Sequence, residues 1–193
     1  MISKKIAVMG AQHTGKSTLI KNLSDFLEKM NYTVGLIGEV VRDCPYPINK
    51  MATLKAQDWI LDEQVRREEA LEGKFDIIVL TDRCLLDNFA YWKRVAEKVK
   101  LSSSEILEKE KEVFNHAKSY SIVFFLQLFE VKRIKDDKFR SIDFKWRREM
   151  HKRINDVVKK FSSQYNTPVV YVKGNARQMF ETAKKNVLAV LKK

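Results

Sequence analysis

Gly10-Ala11-Gln12-His13-Thr14-Gly15-Lys16-Ser17 sets two glycines on either side of four residues and follows the second with a lysine and a hydroxyl. That spacing is the pattern of a phosphate-binding loop, provided a strand runs in and a helix runs out. A loop folded around a phosphate points successive N–H groups inward, and the helix it opens adds partial positive charge. Gly10 and Gly15 allow backbone angles and close approaches that a side chain forbids. Lys16 then reaches the β- and γ-phosphates as a point charge, the Ser17 hydroxyl ligates Mg²⁺, and Thr18 is next in line for an α-phosphate. The nucleotide-binding set is therefore Gly10, His13, Thr14, Gly15, Lys16, Ser17 and Thr18, with His13 contributing as a loop side chain; the cofactors it asks for are ATP and Mg²⁺.

Carboxylates and arginines fall just beyond other apolar runs. Tyr32-Thr33-Val34-Gly35-Leu36-Ile37-Gly38 reads as a strand that delivers Glu39. In open α/β sheets ligands bind past the carboxyl ends of the strands, which places Glu39 in the crevice of the phosphate loop. It is the candidate general base for a substrate hydroxyl, with Arg42 as a substrate clamp; the plain alternatives are a helix cap or an ion pair with Arg42. Phe75 to Thr81 reads as a strand closed by Asp82-Arg83. Asp82 suits a Mg²⁺ carboxylate and Arg83 a two-pronged grip on phosphate, the alternative being a surface pair. Gln57 and Asp87 complete the candidate substrate contacts. A polar, basic stretch from Glu130 to Arg140 follows the fourth strand, and a lid there would bring Arg140 and Arg147 to the transferring phosphoryl group. Its cations could equally be solvated or face a nucleic-acid backbone.

These residues need a frame. Lys4–Met9 reads as strand one, Ser121–Phe129 as strand four and Thr167–Val172 as strand five. Amphipathic segments between them predict helices over 16–30, 49–72, 83–98, 102–119 and 176–191, with another carrying Trp146, Arg147, Arg148 and His151. Ser102 with Glu105 close behind is a helix-start signal. Apolar strands alternating with amphipathic helices predict a parallel sheet covered on both faces. The 193 residues suit one domain, 1–193, with a lid over about 130–148.

Composition narrows the setting. A hydrophobic fraction of 45% fits a packed globule, and no run approaches the ~20 apolar residues of a membrane span. Cys44 and Cys84 are too far apart in sequence, and too poor in neighbouring His, to suggest a zinc site or a disulfide framework. A cytoplasmic, non-membrane protein is the expectation. The net charge of +12 is spread along the chain, with concentrations near 132–138, 145–153 and the C-terminal helix. Lysines there interleave with Val187, Leu188, Val190 and Leu191 at helical spacing, as on a solvated face.

Taken together, Gly10 to Ser17, Glu39-Val40-Val41-Arg42, Asp82-Arg83 with Asp87, and Asp137-Lys138-Phe139-Arg140 with Arg147 resemble the phosphate-loop kinases of small molecules. The chain is similar above all to the ribosylnicotinamide-kinase-like, AAA-type ATPase domain family of NAD metabolism. The resemblance implies a three-layer P-loop NTPase fold, a five-stranded parallel sheet ordered 2-3-1-4-5, ATP with Mg²⁺, an acid after strand two as base, and lid arginines. The sequence departs from thymidylate kinases at Gln12-His13, where those commonly carry an acid, and from the NAD-linked relatives at Asp137-Lys138-Phe139-Arg140, where those tend to read Asp-Gly-Leu-Arg. Three functions stay open: a kinase for a nucleoside- or nucleotide-like small molecule, a kinase for nucleic-acid 5′-hydroxyls, and an ATP-hydrolysing switch. The first is favoured, with ATP and a small-molecule acceptor as partners.

Overall fold

β1 (Lys4–Met9) is buried from Lys5 onward and apolar from Ile6 to Met9, as suits a central strand of a parallel sheet covered on both faces. The computed structural model describes residues 3–11, 14–48, 51–80, 83–128 and 144–192. β1 pairs in parallel with β3 (Ile77–Leu80) on one side and β4 (Tyr120–Leu126) on the other. β2 (Val34–Ile37) lies beside β3, and β5 (Val169–Val172) beside β4. The order is 2-3-1-4-5, all parallel, as the resemblance implied.

Successive side chains of a strand point to opposite faces, and here each face has its own core. Ile6, Val8, Ile77, Val79, Ile122 and Phe124 pack with α1 (Lys16–Lys29) and α6 (Ala176–Leu191). Ala7, Met9, Ile78, Leu80, Val123 and Phe125 pack on the other face with residues of α2 (Leu54–Leu71), α3 (Leu85–Lys98), α4 (Ser103–Ala117) and α5 (Phe144–Gln164). Aromatic edges knit the second face: the Phe114 and Phe161 rings meet at 5.3 Å, and Phe89 stacks on Trp92 at 5.7 Å. The indole N–H of Trp92 donates to Asp58 of α2 at 2.6 Å.

Element ends follow side-chain chemistry. β2 starts at Val34, later than expected, because the N–H and hydroxyl of Thr33 both bond the Asp76 carboxylate, at 2.8 and 2.7 Å. α2 starts at Leu54, not near residue 49, because the Thr53 hydroxyl accepts the Ala56 N–H and caps the helix. The reciprocal Ser102–Glu105 cap of α4 forms as its sequence predicts. β4 stops at Leu126, short of Phe129.

A charged clasp ties α2 to the 3-10 turn Val40–Asp43 that follows β2. Glu63 accepts from Arg66 and Arg67, and Arg67 also donates to Asp43 at 2.8 Å. The hydrogen bond from Arg66, set against some burial, leads the effects that bring the Glu63 carboxyl down to about 2 from its ordinary 4.5. A depressed folded-state pKa stabilises above the unfolded value and loses that contribution as pH falls through the folded one. Glu63→Gln is therefore expected to cost about 1–3 kcal/mol. In urea unfolding the difference from the parent should be flat between pH 6 and 8 and should shrink below about pH 4.5.

Candidate active site at the carboxyl ends of the strands

The chain leaves β1 through Gly10, whose φ is +139°. A Cβ there would lie 2.8 Å from the carbonyl oxygen of Leu126, the last residue of β4. The loop closes at Gly15, φ +89°, where a Cβ would meet Met179 of α6 at 3.0 Å. Gly10 is thus required by its backbone angle and by the β4 backbone, and Gly15 by its backbone angle. Inside the loop the Thr14 hydroxyl donates to the Ala11 carbonyl at 2.9 Å, and Lys16 Nζ donates to the Gly10 and Ala11 carbonyls at 3.0 Å each. Lys16 is buried, whereas Ser17 and Thr18 are exposed in the first turn of α1. That turn has no acidic residue and no side-chain cap from Gly15, which suits the helix end to an external anion. His13 lies outside the described residues.

Glu39 follows β2 as the sequence predicts and precedes the 3-10 turn. Its side chain is 8% exposed and accepts from Arg42 Nε, so the ion-pair alternative is realised and Arg42 orients the carboxylate. Val40 and Val41 hold this turn against Ile60, with Trp59 packed beside them. Trp59 is thus part of a small core, and Gln57 is buried on the same helix.

Arg83 places its guanidinium 4.1 Å over the Tyr91 ring. Asp87 is fully buried and accepts the Cys84 N–H at 2.7 Å, a capping task in the first turn of α3. Tyr91 meets Trp146 at 6.4 Å, and Arg94 lies 4.1 Å over Trp146, so α3 and the first turn of α5 share an aromatic and cationic seam. Arg147, expected in a lid, belongs to that turn, and burial of its side chain lowers its pKa. One turn on, His151 stacks on Phe125 at 5.0 Å; burial first, then Arg147, pushes its pKa down. Asp82 and Arg140, and with them most of the expected lid, lie outside the described residues.

Nothing in the sequence alone assigned a role to Tyr91, Gln127 or His151. Gln127 Nε2 and His151 Nδ1 are buried polar atoms with no partner among the described residues. The signal for His151 was its spacing of four from Arg147; for Gln127 it was an amide closing an apolar run.

A family model described as an AAA domain matches residues 5–178. No curated protein matches the chain. Among solved structures, deoxyadenosine kinase from M. mycoides with bound dATP is 18% identical at a TM-score of 0.65, covering 95% of this chain and 98% of that one. Thymidylate kinase from Ehrlichia chaffeensis is 16% identical at 0.61, covering 99% and 100%. NadR protein in complex with NR is 17% identical at 0.63; the match covers 90% of this chain but only 46% of NadR. At these identities the likeness is one of fold, and it is the P-loop kinase fold.

Gly10→Ala is expected to lower stability by about 1–3 kcal/mol, since the new Cβ must push Leu126 or the loop aside. Urea unfolding of the variant against the parent checks the difference.

Proposed function

The chain belongs to the AAA domain family, and from that membership and the geometry of the strand ends we propose an ATP-dependent kinase. It transfers the γ-phosphate of ATP to a nucleoside- or nucleotide-like small molecule. The observation that carries this reading is the order of the strands. β2, β3 and β1 lie side by side and end respectively in Glu39, in the segment leading to Arg83, and in the Gly10 loop. Neighbouring strands are about 4.8 Å apart, so roughly 10 Å separates the carboxylate's strand from the loop's, with the arginine's strand between them. A donor phosphate on the loop and an acceptor beside Glu39 then meet in front of Arg83.

The residues fit ATP and magnesium. Lys16 Nζ rests on the Gly10 and Ala11 carbonyls at the opening of α1, and the exposed Ser17 hydroxyl, with Asp82, would hold the metal. Magnesium bound with ATP would neutralise charge on the β- and γ-phosphates. The chain supplies the rest. Loop amides and the α1 N-terminus bind phosphate oxygens, and Lys16 exchanges its loop carbonyls for them. Glu39, steadied by Arg42, takes the proton of the acceptor hydroxyl. Arg83, Arg147 and Arg140 neutralise the charge of the moving phosphoryl group. Gln57 and Asp87 belong to the acceptor side. This reading places the protein in the cytoplasm; no helix among the described residues is long and apolar enough to cross a membrane.

Labelled ATP with a panel of nucleosides, nucleoside monophosphates, nicotinamide riboside and a 5′-hydroxyl oligonucleotide tests the proposal. One small-molecule acceptor should be labelled at a rate that Lys16→Ala reduces by at least about 10²-fold, and Glu39→Gln should lower kcat by about 10²–10⁴ with little change in KM for ATP. No labelling above the Lys16→Ala background, or ATP hydrolysis indifferent to both acceptor and Glu39, would overturn it.

A further inference from the structure

A carboxylate sits in the core where α2, α3, α4 and β4 converge. Glu68 is 0% exposed and its Oε1 accepts from Gln64 Nε2 and from the Tyr120 hydroxyl, both at 2.9 Å. His116 Nε2, at the partly exposed end of α4, lies 3.3 Å from Oε2. The Tyr120 oxygen in turn accepts the N–H of Leu85 at 3.2 Å, the first residue of α3. One hydroxyl thus joins the carboxylate to the positive end of a helix. Burial first, then the Glu68 charge, raises the Tyr120 pKa well above its ordinary value, which keeps the hydroxyl a donor.

Burying a polar side chain in a core is costly even when it is hydrogen-bonded, and apolar residues of similar volume often pack there as well or better. Its retention calls for a task, and the far end of the bonded chain indicates one. Leu85 is two residues beyond Arg83, and Cys84 between them donates its N–H to Asp87 while its sulfur lies 3.9 Å from that of Met9. Met9 immediately precedes Gly10, so the start of α3 is fixed against the end of β1 as well as against Glu68. On α2, Gln57, Gln64 and Glu68 follow at spacings of seven and four and are all buried, one stripe of the helix that runs from the acceptor side to the carboxylate.

We propose that Glu68, acting through Tyr120 and the Leu85 amide, is a positioning residue that sets the first turn of α3 and so holds Arg83 beside the phosphate loop. The proposal rests on the kinase reading for its kinetic consequence but not for its geometric one. Tyr120→Phe keeps the ring and removes both hydrogen bonds; Glu68→Gln keeps an oxygen for Tyr120 and serves as the conservative variant. In the full chain, Tyr120→Phe should lower kcat by about tenfold or more with KM for ATP changed less than about twofold, and Glu68→Gln should retain more than about half of kcat.

A second readout needs no turnover. With its guanidinium 4.1 Å over the Tyr91 ring, the Arg83 Nε–Hε resonance, identified by its loss in Arg83→Lys, should carry a ring-current shift in the parent protein. It should move in Tyr120→Phe and stay in Glu68→Gln. A Tyr120→Phe protein that melts lower but keeps kcat and the Arg83 resonance would overturn the proposal, leaving Glu68 a stabilising group alone. If the parent transfers no phosphate, the kinase reading fails, and the Arg83 resonance still decides whether the start of α3 answers to Tyr120.

Discussion

Contact between Gly10 and the Leu126 carbonyl is the constraint on which the rest of the site depends. The chain can turn out of β1 at that point only with a positive φ and without a side chain, because β4 already occupies the space. β4 is there because the sheet order makes it the neighbour of β1, and its end is held by β5, whose Val172 carbonyl accepts the Gln127 N–H at 2.8 Å. Met179 presses on Gly15 from α6. Three elements from the second half of the chain therefore shape a loop that is complete in sequence by residue 17.

The loop was legible because its residues are contiguous and each position answers to a backbone demand. The five strands were legible for a related reason: strands covered on both faces read as unbroken apolar runs, and Ile77–Leu80 and Tyr120–Leu126 are buried almost without exception. The order 2-3-1-4-5 came from resemblance, since no local pattern says which strands are neighbours.

What could not be read depends on partners distant in sequence. Thr33 shortens β2 through Asp76, 43 residues away, and Tyr120 reaches Glu68 across 52. Glu39 offered two readings, and only the fold shows that Arg42 turns back onto it within the 3-10 turn. Arg147 was expected on the helix after the basic stretch, as a lid cation; Trp146 beside it, covered by Arg94 and Tyr91, draws that turn of helix inward. Some of the basic residues are locally paired, Arg153 with Glu97 and Glu149 and Lys160 with Glu110, although such pairs leave the net charge of +12 as it is.

The sheet also acts as a partition. α1 and α6, which carry and brace the phosphate loop, share one core, while α2 to α5 share the other. The two cores meet along β1, where Ala7 and Met9 face the helices α2 to α5 and Ile6 and Val8 face α1 and α6, so both converge on the strand that runs into Gly10.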